Sequence, residues 1–477
     1  MKIKSVFNYN YKVAKIFLLL ILVLGLTNVN AQTIVNSLSE LMPYLEKDNV
    51  EVTLAPGDYT ITAADVKKGL YKKEMKLKNT SSVLLLFEGN NSTYDFTDVT
   101  ISIDTKVLQS FGKNQVNELQ IIGNNNVLKN LTMVDNGSVH DAPTRRATNI
   151  VMDGSHNRIE GFHVTTKGSF PYGYGDAFGK GGKVVIKHRK HSACLIRGES
   201  NQLKNSTFIH RSYGHCIFTQ AASNPIIEGC VVEGEVRKTD DMLAETSGPA
   251  FDVNFMTVWG YKLPKGYMLS TGEAGIRAYN AGETIIDGKV YKRGTSNPTV
   301  LNCTIKYMRT GVTLSHAIGK KYVKGCTIIG CENGYSLGSG TVVDCKADCA
   351  FGPVYSSTYE NDKNYNADIT IIPATDPYYN GSGSVAYIGG SGHEITLRGS
   401  DEAVQEGLRI KVGGDKGNIR LKNGNFPHQN DFKGGSFKIN NLTNYPIFLS
   451  AKSSNVKGKS MGEVSDLGTN NKIKQIK

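Results

Sequence analysis

Asn157-Arg158-Ile159-Glu160-Gly161-Phe162-His163-Val164 is the stretch whose reading decides the fold. It has an asparagine, an apolar residue two positions on, a glycine, and a second apolar pair. The pattern recurs as Asn126-Val127-Leu128-Lys129-Asn130-Leu131-Thr132-Met133 and as Asn201-Gln202-Leu203-Lys204-Asn205-Ser206-Thr207-Phe208. Degenerate copies carry Gly229-Cys230, Asn302-Cys303, Gly325-Cys326 and Asp344-Cys345 at the same point. The repeat is about 24 residues long. The gap from Gly161 to Asn205 reads as two turns, or one turn with an insertion, and the gap from Gly229 to Asn302 as three turns. Short strands at such a period, with no helical segment between them, predict an all-β chain wound as a parallel β-helix, each turn burying a continuous core against its neighbours.

Composition agrees. In 477 residues there are 51 Gly, 13 Pro and one Trp, with 39% hydrophobic residues, as suits many short strands and turns. The position after the repeated Asn or Gly is filled by Leu131, Phe162, Ser206, Cys230, Cys303, Cys326 and Cys345. Four of the eight cysteines therefore fall in one column, where they read as small buried hydrophobes. A disulfide framework and a metal site are both disfavoured, since no C-x-x-C pair with a nearby histidine occurs.

The first 31 residues read as a secretory signal. Lys2, Lys4, Lys12 and Lys15 form a basic region, Ile16 to Leu26 an apolar one, and Val29-Asn30-Ala31 a cleavage site before Gln32. A secreted or periplasmic protein with no membrane association after cleavage follows. The formal charge of +12 falls by the four lysines on cleavage and stays basic, which calls for an anionic partner outside the cytoplasm: an acidic glycan ahead of nucleic acid. Residues 32–360 form the helix domain in this reading. It begins with an amphipathic helix over Ser37 to Lys47 and the strand Val50 to Ile61. Residues 361–477 supply strands at Ile369–Ile372, Val385–Ile388, Ile395–Arg398, Leu408–Val412, Ile419–Leu421 and Phe437–Ile439, as final turns or a small β extension, with a polar tail after Lys457.

The chemistry concentrates between Tyr172 and Asp241. Stacking residues one period apart sets Lys187 by Arg211, Arg189 by Tyr213 and Arg237, Lys190 by Lys238, and His191 by His215. Lys167 and Thr166 match Arg211 and His210 on the preceding turn. Stacked like charges cost energy unless an anion or solvent screens them, so the patch reads as an anionic-ligand site. An insertion from Gly168 to Gly182, rich in Tyr, Phe and Gly and including Tyr172, Tyr174 and Asp176, leaves the solenoid beside it.

Eliminative cleavage of a uronate polymer needs a cation to neutralise the carboxylate, a base to take the α-proton and an acid for the leaving oxygen. Lys187, Arg211, Tyr213, His191, His215 and Tyr172 are the candidates for those roles. Tyr213 between arginines would have its phenolate favoured. Arg189, Lys190, His210, Tyr174, Arg237, Lys238 and Lys167 are candidates for binding substrate. Hydrolysis would call instead for paired carboxylates, and Asp240-Asp241 is the available pair. A β-helical glycoside hydrolase of acidic glycans is thus the first alternative, and a non-catalytic solenoid that binds acidic glycan the second.

The helix followed by Val52-Thr53-Leu54-Ala55-Pro56-Gly57-Asp58-Tyr59 resembles the N-terminal cap of pectate-lyase-like right-handed parallel β-helices. With "Y-G-Y-G-D" at 172–176, "K-H-R-K-H-S-A-C-L-I-R-G" at 187–198 and "H-R-S-Y-G-H" at 210–215, the chain resembles the β-helical polysaccharide lyases, nearest to the alginate lyase and chondroitinase B family 6 and the alginate or glucuronan lyases of family 31. The resemblance implies a Lys or Tyr base, and Arg or calcium as carboxylate neutraliser. Lys187 or Lys190 with Arg211 resemble the lysine and arginine, and Tyr172, Tyr174 and Tyr213 are the available tyrosines. The acidic calcium cluster of the family 6 pattern is not evident, so no cofactor is expected.

Overall fold

A computed structural model of the chain describes residues 32–76, 80–137, 140, 146–179, 185–358, 361–374, 383–414 and 432–477. The expected signal segment and the strand at Ile419–Leu421 lie outside the described residues. The architecture is the right-handed parallel β-helix. Nearly every ladder is parallel, in one sheet of 21 strands and one of 14, the arrangement that right-handed crossovers generate.

One turn shows how the sequence builds it. Gln202–Lys204 and Thr207–His210 are short strands of the large sheet, and Ile217–Ser223 belongs to the other. Between the first two the chain bends at Asn205, with φ 47°. The same bend recurs at Asn130, Gly161, Gly229, Asn302, Gly325 and Asp344, all with positive φ. Asn, Asp and Gly tolerate this left-handed conformation, and a β-branched residue does not. The repeat in the sequence is therefore the footprint of one backbone requirement.

The residues flanking the bend point inward. Leu128, Ile159, Leu203, Ile227, Val300, Val323 and Val342 are in register across successive turns and fully buried. The column after the bend stacks as expected, with Cys230, Cys303, Cys326 and Cys345 all buried and in no disulfide. The Cys303 and Cys326 amides donate to the Sγ of Cys326 and Cys345, each at 3.4 Å. The first asparagine of each repeat forms a buried ladder. The amides of Ser92, Asn126 and Asn157 donate to Oδ1 of Asn126, Asn157 and Asn201 at 3.0, 2.9 and 2.8 Å. These side chains satisfy main-chain groups that the corner would otherwise leave buried and unpaired.

Two gaps in the repeat resolve differently from their lengths. Arg158–Glu160 pairs directly with Gln202–Lys204, so that gap is one turn with an insertion. Val231–Glu233 pairs directly with Thr304–Lys306. The expected three turns there are one turn, lengthened by helices Thr239–Leu243 and Pro249–Asp252, the pair Val236–Lys238 with Met268–Ser270, and the hairpin Glu283–Ile286 with Lys289–Lys292. The insertions pack on each other around Phe178, Met242, Ala250, Leu263 and Leu269, a second core beside the solenoid that also buries Trp259.

The N-terminal helix is shorter than expected, Leu38–Leu41 followed by a 3-10 turn at Met42–Tyr44. Leu38, Leu41 and Leu45 join the main core. Past residue 360, Tyr365–Ile371, Glu394–Gly399, Lys438–Leu442, Lys457–Ser460 and Lys472–Gln475 pair in succession in the large sheet. The polar residues after Lys457 thus include stacked strands.

Candidate functional site

A cleft of about 840 Å³ lies over the outer face of the 14-stranded sheet. Strand Lys190–Glu199 provides its centre, where alternation turns Lys190 and Ser192 to the cleft and His191 inward. Lys190 stacks on Arg146 of the preceding turn, and Ser192 on Thr148. Among the described residues six cations line the cleft, Lys113, Arg146, Lys187, Arg189, Lys190 and Arg197, against one carboxylate, Glu273. Such an excess in a concave site draws in an anion.

Glu273 is buried, and Lys190 Nζ lies 2.9 Å from its Oε2. His215 Nε2 lies 3.5 Å from the same oxygen and 2.6 Å from Tyr279 Oη. The backbone amide of Ala274 donates to His215 Nδ1 at 3.2 Å. That bond assigns the tautomer: the neutral ring carries its proton on Nε2, directed at Tyr279 and Glu273. Burial pushes the Tyr279 phenol up from its ordinary value, against the opposing effect of Arg277, whose guanidinium lies 4.7 Å above the ring.

His188 also lines the cleft, and among the described residues neither ring nitrogen has a hydrogen-bond partner. Its ring stands edge-on to Tyr213 at 4.5 Å. Burial pushes its pKa down to about 4, so it is a neutral imidazole at neutral pH.

Of the residues expected to carry chemistry, the cleft brings together Lys187 and His215, and of the expected binding residues Arg189 and Lys190. Arg189 is largely buried, its guanidinium donating to the carbonyls of His140 and Gly168 at 3.2 Å each. The others lie elsewhere. Tyr213 is fully buried, with Oη donating to Asp176 Oδ1 at 2.9 Å. Burial and the Asp176 and Glu273 carboxylates push its phenol well up, the reverse of the shift expected from flanking arginines. Asp176 is in turn ion-paired with buried Arg309. His191 is buried, and so is His210, whose Nε2 sits 3.0 Å from the Gly214 carbonyl. Lys167 is exposed and does not line the cleft.

A second hollow gathers Tyr172, Arg237 and Lys238. Tyr172 Oη donates to Glu235 Oε2 at 2.5 Å, and Arg237 pairs with Glu245 at 2.6 Å. Tyr174 also donates to Glu245, at 3.0 Å, and Arg211 pairs with Glu233 at 2.8 Å. The expected charge stack through Arg211 and Arg237 is thus dispersed by carboxylates. Asp240 caps the Gly266 amide at 2.7 Å, and neither Asp240 nor Asp241 reaches the cleft.

The expected columns slip for two reasons. Cys194 pairs with Ile217, an offset one short of the mean repeat, so His191 lies opposite Gly214 and Ser192 opposite His215. In a pleated sheet one residue of slip changes the face. The next turn in the cleft sheet is Ala274–Ala278, so Glu235 to Thr239 never stack on His215. Thr166 with His210 is in register as expected. Tyr279, Glu273, His188 and Arg146 were missed. His188 was legible from its place two residues before Lys190, whereas Tyr279 and Glu273 lie beyond the long insertion.

Calcium as a carboxylate neutraliser does not fit this cleft. A hard cation needs several oxygen ligands, and Glu273, the one carboxylate among the described lining residues, is engaged by Lys190.

No family model matches the chain, and no curated protein matches it. Solved structures do. They include a mannuronic acid specific polysaccharide family 6 lyase from human gut microbiota, 10% identical with a TM-score of 0.42, covering 94% of this chain and 83% of that one. The A-module of an Azotobacter vinelandii mannuronan C-5 epimerase is 9% identical with a TM-score of 0.36, over 89% and 90%. The catalytic domain of a GH87 alpha-1,3-glucanase is 10% identical with a TM-score of 0.34, over 94% and 69%. These are likenesses of fold.

Proposed function

We propose that the protein is an exported β-helical enzyme acting on glycans, and more narrowly a polysaccharide lyase that cleaves an anionic uronate polymer of the alginate or glucuronan kind by β-elimination. The observation that carries this reading is the His215–Tyr279 hydrogen bond set in a cleft whose described residues include six cations and a single, already paired, carboxylate. Elimination needs cations and proton-transfer groups. Hydrolysis needs two carboxyl groups about 5–9.5 Å apart.

In this mechanism Lys187 and Arg146 neutralise the uronate carboxylate and stabilise the enolate-like intermediate. His188, neutral and with no hydrogen-bond partner among the described residues, removes the α-proton. Its basicity rises when a substrate carboxylate binds beside it. Tyr279 delivers a proton to the leaving glycosidic oxygen; its raised phenol pKa keeps that proton in place until needed, and His215 Nε2–H stabilises the oxygen that remains. Glu273 orients Lys190 and His215 from below. No metal or organic cofactor is assigned to these steps.

Incubation of the full chain with alginate, glucuronan, pectate and glycosaminoglycans tests the proposal through the ultraviolet absorbance of the unsaturated product end. Products lacking the double bond would make the protein a hydrolase. Binding with no turnover on any uronate polymer would make it a glycan-binding solenoid.

A further inference from the structure

Beneath the cleft floor, three successive turns bring Glu118, Asp135 and His191 together, each 1% exposed or less. Their donor atoms lie within 4.8 Å of one another, the one such grouping found among the described residues. We propose that these three residues form a buried structural site for a first-row divalent cation, zinc or manganese, that ties the turns under the cleft together.

Two independent features point to a ligand. First, His191 is fully buried, and among the described residues neither ring nitrogen makes a well-formed hydrogen bond. Nε2 is 3.5 Å from Glu118 Oε1 and Nδ1 is 3.6 Å from Asp135 Oδ2, separations too long for good N–H···O bonds. Second, both carboxylates are held in place by hydrogen bonds from neighbouring groups. Asn149 Nδ2 donates to Glu118 Oε2 at 2.6 Å and to Asp135 Oδ2 at 2.9 Å, and the Lys167 amide donates to Asp135 Oδ2 at 2.9 Å. Asn149 is itself held by Thr166 Oγ1 at 2.7 Å. Asp135 Oδ1 is buried with no partner among the described residues. Polar groups behind metal ligands characteristically hold them in this way.

The mixed nitrogen and oxygen donor set suits zinc or manganese better than calcium, which takes oxygen ligands.

The site is independent of the cleft's reaction. Full-length protein expressed with added Zn²⁺ or Mn²⁺ would be dialysed against a chelator and its metal content measured, followed by a crystal structure at the metal absorption edge. We expect about one ion per chain to survive dialysis, with an anomalous peak about 2.1 Å from a His191 nitrogen and at least tenfold less metal in Glu118→Gln. Folded wild-type protein that holds less than about a tenth of an equivalent from both media, or a peak elsewhere, overturns the site even if Glu118→Gln fails to fold. Calcium retained in place of both ions would overturn the assigned metal class (the thresholds are order-of-magnitude choices that follow from tight binding to a buried site).

Discussion

His215 presents Nε2–H to Tyr279 Oη at 2.6 Å because the Ala274 amide already occupies Nδ1. A backbone group thereby sets the direction of proton flow on a side-chain pair 64 residues apart. Fixing one tautomer removes the reorganisation that a free imidazole would need at the moment of reaction.

Tyr279→Phe removes the hydroxyl and keeps the ring. Turnover on the responsive uronate polymer should fall by about 10²–10⁴, the usual contribution of a positioned proton donor, with KM nearly unchanged. Steady-state kinetics check it. A variant with wild-type kcat would remove Tyr279 from the reaction.

Arg197 stands at the cleft wall, partly buried, 3.7 Å from Asp153. Arg197→Ala should raise KM about tenfold and weaken its dependence on salt, with little change in kcat, because a cation that contacts ground state and transition state alike contributes uniform binding. Measuring KM across a salt series decides this. An unchanged KM with a collapsed kcat would contradict the role.

Acid should weaken the fold through His188 and His210. Burial brings each to about 4 from an ordinary 6.5. Between those values the unfolded chain binds more protons, so stability rises with pH through the window and is lost as pH falls from about 6.5 towards 4. Each histidine contributes a slope of at most about 1.4 kcal/mol per pH unit. Urea unfolding at several pH values reads it, and His210→Gln should flatten the slope. A stability that stays level from pH 6.5 to 4.5 would contradict the burial of both rings.

The Asp176–Arg309 pair joins the first insertion to the solenoid, both residues being buried. Asp176→Asn alone should cost about 3–5 kcal/mol by leaving Arg309 short of its partner, and adding Arg309→Met should recover part of it. Denaturant midpoints of the single and double variants test this. Equal losses in both would mean the pair is not coupled.

Asn157 accepts from one turn and donates to another in the corner ladder. Asn157→Ala strands buried main-chain groups and should cost about 1–3 kcal/mol per group left unsatisfied. Thermal unfolding checks the loss, and a Tm equal to wild type would show that water replaces the ladder.

By itself the sequence determined the β-helix. The positive-φ bend admits little but Asn, Asp and Gly, and the residue after it must be small or apolar to enter the core, so both columns are written locally at Asn130, Gly161, Asn205 and their successors. The basic cleft was partly legible, through Lys187, Arg189, Lys190 and His215. Tertiary structure alone decided which side chains meet. A mean period of about 24 cannot resolve the one-residue offset between Cys194 and Ile217, and in a pleated strand that single residue sends His191 into the interior and His215 to the cleft. Nor can a period count through a long insertion, which is why Glu273 and Tyr279 reach His215 only once the strands pair.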